Sequence, residues 1–180
     1  MCQHMFVVTG GPGSGKSTLI DALNAKGFPS MPEAGRAIIR DQMQIGGPAL
    51  PWADRAMFAE LMLGWDLRSW HAATAQGGPV FLDRGIVDVV GYLTLCGLPV
   101  PAHGETAGKA YRYNKTVFIA PYWDAIFTQD DERKQDRQEA KATARVMADT
   151  YARFGYQLFE LPKASVEERV AFVMKHVNAA

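Results

Sequence analysis

Nine residues near the start, Gly10-Gly11-Pro12-Gly13-Ser14-Gly15-Lys16-Ser17-Thr18, set glycines, a lysine and hydroxyls in the order G-x-x-x-x-G-K-[ST]. A triphosphate carries several negative charges that must be held without blocking its reacting end. Glycines let the chain curl so that successive N–H groups point at phosphate oxygens, and a helix N-terminus adds a positive dipole end. Lys16 can reach the β- and γ-phosphates as a point charge, and the Ser17 hydroxyl can enter a Mg²⁺ shell. The motif requires a strand before it and a helix after it. Met5-Phe6-Val7-Val8 is an apolar strand-like run, and Leu19-Ile20-Asp21-Ala22-Leu23 continues as a helix. A glycine-rich turn that binds nothing would account for the glycines but not for Lys16-Ser17.

Other side chains could complete such a site. Asp83 ends the apolar run Val80-Phe81-Leu82, where a carboxylate facing the phosphate loop could hold Mg²⁺ or its water; the plain alternative is a cap for the next helix. Arg84 falls beside it on the substrate side, where a guanidinium can pair with phosphate or a polar substrate group, or form a surface ion pair. Asp88 reads most simply as a helix-surface charge, with a substrate contact as the alternative. Glu33 and Arg36 follow the second strand, where a carboxylate could take the proton of an attacking hydroxyl while the arginine fixes the acceptor. An acid favoured at a helix N-terminus is the alternative for Glu33. In the charged stretch from Gln129 to Arg137, Arg133 and Arg137 are spaced i,i+4 and could close on the transferring group; a solvated face would look the same. The four histidines show no metal spacing. Trp52, Trp65 and Trp70 read as core or rim, and Trp123 stands next to the closing segment.

The elements that must position these residues follow from pattern. A helix spans 16–25, with Gly27 placed to stop it. A brief second strand lies within Phe28-Pro29-Ser30-Met31-Pro32, and a helix from Glu33 ends near Gly46-Gly47-Pro48. Leu50-Pro51-Trp52 opens a long helix with Phe58, Leu61, Met62 and Trp65 as its core stripe. After the Val80 strand, a helix covers 86–95, a polar stretch over 99–114 holds a short helix, and Thr116–Ala120 is a fourth strand. A long helix runs from about Asp131 to Phe154 and is capped by Gly155. A fifth strand spans 156–161, and the capping-box spacing of Ser165 and Glu168 opens a last helix that ends near Val177. Alternating strands and helices imply an α/β fold with a parallel sheet covered on both faces. Ligands of such sheets sit beyond the C-terminal strand ends, so the loops after Val8, Met31, Leu82 and Ala120 should share one crevice.

Composition bounds the rest. A length of 180 residues with 48% hydrophobic content suits one core and one domain, 1–180. Lys+Arg and Asp+Glu both number 19, so net charge gives no case for nucleic acid or a membrane surface. Cys2 and Cys96 suggest neither a disulfide framework nor a zinc site. No apolar run approaches the roughly 18 residues of a membrane span. With no basic segment before the first strand, the expectation is a soluble, cytoplasmic protein.

Together, Gly10–Thr18, Glu33-Ala34-Gly35-Arg36, Phe81-Leu82-Asp83-Arg84-Gly85 with Asp88, and the Gln129–Arg137 segment resemble the P-loop kinase-like NTPases. Within these they are similar to small AAA-type ATPases related to nucleoside and nicotinamide-riboside kinases. The resemblance implies a three-layer fold whose five-stranded sheet has the order 2-3-1-4-5, a substrate region over about 33–76 and a lid over about 121–137. It also implies that the loop from Leu161 to Ser165 borders an adenine. The leading expectation is a kinase that moves the γ-phosphoryl of MgATP to a small nucleoside- or metabolite-like acceptor. A regulatory ATPase acting through a protein partner and a binding module without turnover are the alternatives. Guanine specificity is not supported, because Asn114-Lys115-Thr116-Val117 lacks the aspartate that would read guanine and precedes its strand.

Overall fold

The structure is a computed structural model that describes residues 3–127 and 137–178. Its centre is β1 (Met5–Gly10), which is buried along its whole length. The phosphate loop follows, then α1 (Lys16–Ala25), β2 (Ser30–Met31), α2 (Ala34–Ile45), α3 (Arg55–Thr74) and β3 (Val80–Asp83). The second half holds α4 (Ile86–Leu95), α5 (Ala102–Ala110), β4 (Thr116–Ala120), a 3₁₀ turn (Asp124–Ile126), α6 (Arg137–Arg153), β5 (Gln157–Glu160) and α7 (Val166–Val177). The sheet is parallel throughout and ordered β2-β3-β1-β4-β5, as the sequence resemblance implies.

Strand alternation divides the core into two layers. Met5, Val7, Val80, Leu82 and Val117 face α3, α4 and α6. Phe6, Val8, Phe81 and Phe118 face the other way, onto Leu19 and Leu23 of α1 and Val170 and Val173 of α7. The Phe6 ring lies between Phe81 and Phe118, with centroids 6.0 and 6.3 Å away. The in-register pairing of Val8 with Asp83 brings the ends of β1 and β3 side by side. That pairing sets the phosphate loop next to the Asp83-Arg84 turn.

Several boundaries follow local chemistry. Gly155 adopts a left-handed conformation (φ 79°) after α6. At α7 the reciprocal cap forms: Ser165 Oγ accepts from the Glu168 N–H at 3.2 Å, and the Ser165 N–H donates to Glu168 Oε2 at 3.0 Å. Helix α3 departs from expectation. It begins at Arg55 and not at Leu50-Pro51-Trp52, because the Asp54 carboxylate caps it by accepting the Met57 N–H at 2.9 Å. Its inner face is also rotated from the expected stripe. Leu61 is 40% exposed, whereas Ala59, Leu63 and Asp66 join Phe58 in the interior. Residues 128–136, which include Arg133 and the expected start of α6, lie outside the described residues.

Candidate functional site

Steric limits set the shape of the phosphate loop. Gly10 has φ 126°, and a Cβ there would stand 2.3 Å from the Ala120 carbonyl oxygen, so no other residue fits. Lys16 is buried, and its ammonium donates to the Gly11 carbonyl at 2.7 Å and the Gly10 carbonyl at 3.4 Å. Ser14 Oγ closes the same turn on Gly11 O at 2.7 Å. Gly13 to Thr18 line a cavity of about 430 Å³ with Trp123, Ile126, Ser165 and Arg169. Gly10 and Gly11 stand behind it, as backbone that receives Lys16.

Arg169 is a feature the sequence reading missed. It is 3% exposed, and its Nη1 donates to the carbonyls of Ser14 and Gly15 at 3.1 and 3.4 Å. This guanidinium ties α7 to the loop from 155 residues away in sequence. Its carbon lies 6.0 Å from the Trp123 ring centroid, and burial lowers its pKa. The pair borders the part of the cavity next to Ser165, where the resemblance puts the adenine. The available signal was its place in the Val166, Val170, Val173 stripe of α7.

Asp83 stands at the C-terminal end of β3, 7% exposed, and Ser17 Oγ lies 3.5 Å from its Oδ2. It does not cap α4. The Gly85 N–H at that helix start donates to Asp88 Oδ2 at 3.0 Å. A hydroxyl and a carboxylate oxygen side by side at the loop are hard oxygen donors. They suit a cation that keeps most of its shell for water and phosphate, so the residues fit Mg²⁺.

A second cavity of about 660 Å³ opens on the other side of the loop, within the size range of small-molecule sites. Its polar end is built on Arg84, the one non-glycine residue with positive φ (70°) among those described. Such a conformation costs about 1–3 kcal/mol and persists where surrounding contacts enforce it. Here Arg84 Nε donates to Glu33 Oε1 at 3.0 Å and Nη1 to Asp88 Oδ1 at 3.1 Å. Burial works against its charge, but Glu33, Asp88 and Asp83 outweigh that and raise its pKa.

Asp88 is therefore no surface charge. It is 4% exposed and accepts from Thr9 Oγ1, Arg84, the Gly85 N–H and Tyr151 Oη, the last at 2.7 Å. The signal was present in the sequence: Asp88 is the single charge within the apolar run Ile86–Leu95.

Asp66 was also missed. It is 7% exposed, lines this cavity, and accepts no hydrogen bond from a described residue. Burial, then the charges of Asp88, Glu33 and Asp83, raise its pKa well above the carboxylate range, with Arg84 opposing. Phe58, Met62 and Asp66 at i,i+4 spacing mark the face that carries it.

The sign of the pH effect follows. A carboxyl that holds its proton more tightly when folded adds stability that is full below the unfolded value of about 3.9 and is lost as pH rises through the folded value. Asp66→Asn is expected to melt several degrees above the parent at pH 8, with the gap closing toward pH 4. A gap independent of pH in thermal melts would show that Asp66 does not titrate in this range.

The other expected residues fall as follows. Glu33, at the start of α2, and Arg84 meet directly, and Arg36 on the next turn lines both cavities. Pro12 lines the larger one. Arg137 is not brought to either cavity; its side chain is 67% exposed and pairs with Asp124 at 3.2 Å. Arg133 lies outside the described residues. No described helix is long and apolar enough to cross a membrane.

The fold recurs in solved structures at low identity. Deoxyadenosine kinase from M. mycoides is matched at TM-score 0.68 and 11% identity over 98% of this chain and 100% of that one. Thymidylate kinase from Candida albicans is matched at TM-score 0.73 and 13% identity over 99% and 92%. NadR in complex with NR is matched at TM-score 0.66 and 16% identity over 98% of this chain and half (50%) of that one. No curated protein matches the sequence. The sequence profile of a family described as AAA domain matches residues 5–169, a span that takes in the phosphate loop, both cavities and Arg169. The chain belongs to this AAA-domain family.

Proposed function

We propose that the protein is a phosphotransferase that moves the γ-phosphoryl of MgATP to a hydroxyl of a small nucleoside- or metabolite-like acceptor. The observation that carries this reading is Arg36, which lines both cavities and so stands where the two ligands would meet. The kinases that share the fold agree with it.

Each side chain has a role in this reading. The loop N–H groups and Lys16 hold the β- and γ-phosphates, and Trp123 and Arg169 flank the base. Ser17 and Asp83 would hold Mg²⁺, which when bound would neutralise charge that develops on the phosphate oxygens. Glu33 accepts the proton of the attacking hydroxyl, and Arg84 fixes the rotamer from which it does so. Arg36 faces the transferring group, where a guanidinium stabilises charge spread over its oxygens. MgATP and the acceptor are the partners of this reading, and the cytoplasm is its setting.

A regulatory ATPase is the second reading. It is favoured by the exposed apolar residues Met43, Ile45, Met57 and Leu61 on α2 and α3, which suit contact with a protein.

The test is a thermal-shift titration with MgATP and MgGTP, alone and then with nucleosides and vitamin ribosides, followed by ADP release. Stabilisation by ATP that rises with one acceptor supports the transferase. Stabilisation by ATP that responds to no acceptor, with hydrolysis stimulated only by a protein, supports the regulatory reading. Asp83→Asn is expected to leave nucleotide affinity within several-fold and to lower turnover about 10²–10³-fold. Near-normal turnover would remove Asp83 from the chemistry.

A further inference from the structure

Glu33, Asp66 and Asp88 line the larger cavity beside Arg84, and these three and Asp83 interact electrostatically with that one guanidinium. Three of these carboxylates have work in the fold or at the loop. Glu33 and Asp88 bind Arg84, and Asp83 stands beside Ser17. Asp66 is different. It reaches the cavity from the buried face of α3, is more than nine-tenths enclosed, and receives no donor from the described residues. A carboxyl group enclosed to this extent, open only to the cavity and without a donor from the described residues, costs stability, and such groups persist where a ligand supplies the missing partner.

The walls around it narrow the class of ligand. Phe58 and Tyr92 meet edge to face at 5.5 Å, and Met62, Val89 and Met147 complete an apolar slot that suits a flat heterocycle. Three arginines line the same cavity. Arg84 is matched by two carboxylates, Arg36 also faces the nucleotide cavity, and Arg55, exposed, donates Nε to the Pro51 carbonyl at 2.9 Å. An acceptor that already carries a phosphate would bring a dianion next to Glu33, Asp66 and Asp88, whose charges oppose it.

We infer that Asp66 determines acceptor specificity: its carboxyl receives an N–H or O–H donor of a neutral or cationic nucleoside, and the carboxylates around it exclude the nucleoside monophosphate. The inference rests on the transferase reading of this cavity and adds to it which acceptors are taken.

ADP release by the full chain with MgATP tests it on matched pairs. Deoxyadenosine, adenosine, thymidine, cytidine and nicotinamide riboside are each compared with the corresponding 5′-monophosphate. At least one nucleoside is expected to be turned over with kcat/KM about 100-fold above its monophosphate. Asp66→Asn is expected to raise the KM for that nucleoside about 10- to 100-fold, more than it lowers kcat, and to narrow the preference within the pair. The variant should melt at or above the parent temperature, which a merely structural carboxylate would not allow.

Preference for a monophosphate overturns the inference and leaves the transferase reading standing. A lowered melting temperature for Asp66→Asn with an unchanged acceptor KM makes Asp66 structural and likewise overturns it. Turnover of no member of any pair defeats the transferase reading, and the inference falls with it.

Discussion

Lys16→Ala is expected to remove most of the thermal stabilisation that MgATP gives the protein. The Lys16 ammonium is buried against the loop, with Gly11 O at 2.7 Å and Gly10 O at 3.4 Å. A charge-assisted contact to phosphate is worth about 1.5–3 kcal/mol, so its loss should weaken binding by about 10–100-fold. At a ligand concentration of about 100 Kd the parent gains about 2.7 kcal/mol, whereas a 100-fold weaker variant gains about 0.4 kcal/mol. For a chain of this size the nucleotide shift should fall from roughly 5–11 °C to roughly 1–2 °C. Because the shift is the difference between melts with and without nucleotide, any change in the stability of the free protein cancels. An unchanged shift would mean that the loop does not anchor the nucleotide.

The largest effect on the fold itself should come from Asp88→Ala. Asp88 receives Arg84, Thr9, Tyr151 and the Gly85 N–H at once, and it is 4% exposed. Its removal leaves the half-buried Arg84 with Glu33 as its remaining described carboxylate bond and strips three further donors of their acceptor. Breaking a buried charge pair from one side costs about 3–5 kcal/mol, which corresponds to roughly 6–20 °C in melting temperature. Tyr151→Phe deletes one donor of the four and should cost about 1 kcal/mol. Chemical denaturation of the two variants separates these expectations. Equal losses would show that the hydroxyl, and not the carboxylate, is the centre of the network. Since Asp88 also helps hold Arg84 at φ 70°, the variant should lose acceptor turnover beyond what its stability explains.

Much of this architecture was legible because it depends on short-range geometry. The loop motif sits between a strand and a helix, and the Ala120 carbonyl leaves no room for a Cβ at Gly10. Helix α1 spans Lys16–Ala25, as its pattern predicts, and the caps at Gly155 and Ser165–Glu168 form from residues within a turn of each other. Apolar runs separated by helical stretches were enough for a parallel sheet. The start of α3 was misjudged because Leu50-Pro51-Trp52 is apolar enough to read as helix, while the stronger local signal was the Asp54 side chain capping Met57.

The charged residues were harder to read. Asp66 and Asp88 were passed over because charge in a helix usually marks its solvent face. Asp88 is satisfied by Thr9, 79 residues away, and by Tyr151, 63 residues away, and Arg84 finds Glu33 across 51 residues. The sequence by itself determined the glycine-lysine-serine loop motif, which segments form strands and helices, and that the strand ends converge, because these follow from backbone sterics, hydrogen-bond caps and hydrophobic period. Only the tertiary structure decided that Arg84 is held by Glu33 and Asp88, that Arg169 braces the phosphate loop, and that Asp66 faces a cavity without a described donor. Those outcomes depend on which side chains meet when α3, α4, α6 and α7 pack on the sheet, and charge takes its energy from that environment and not from its neighbours in the chain.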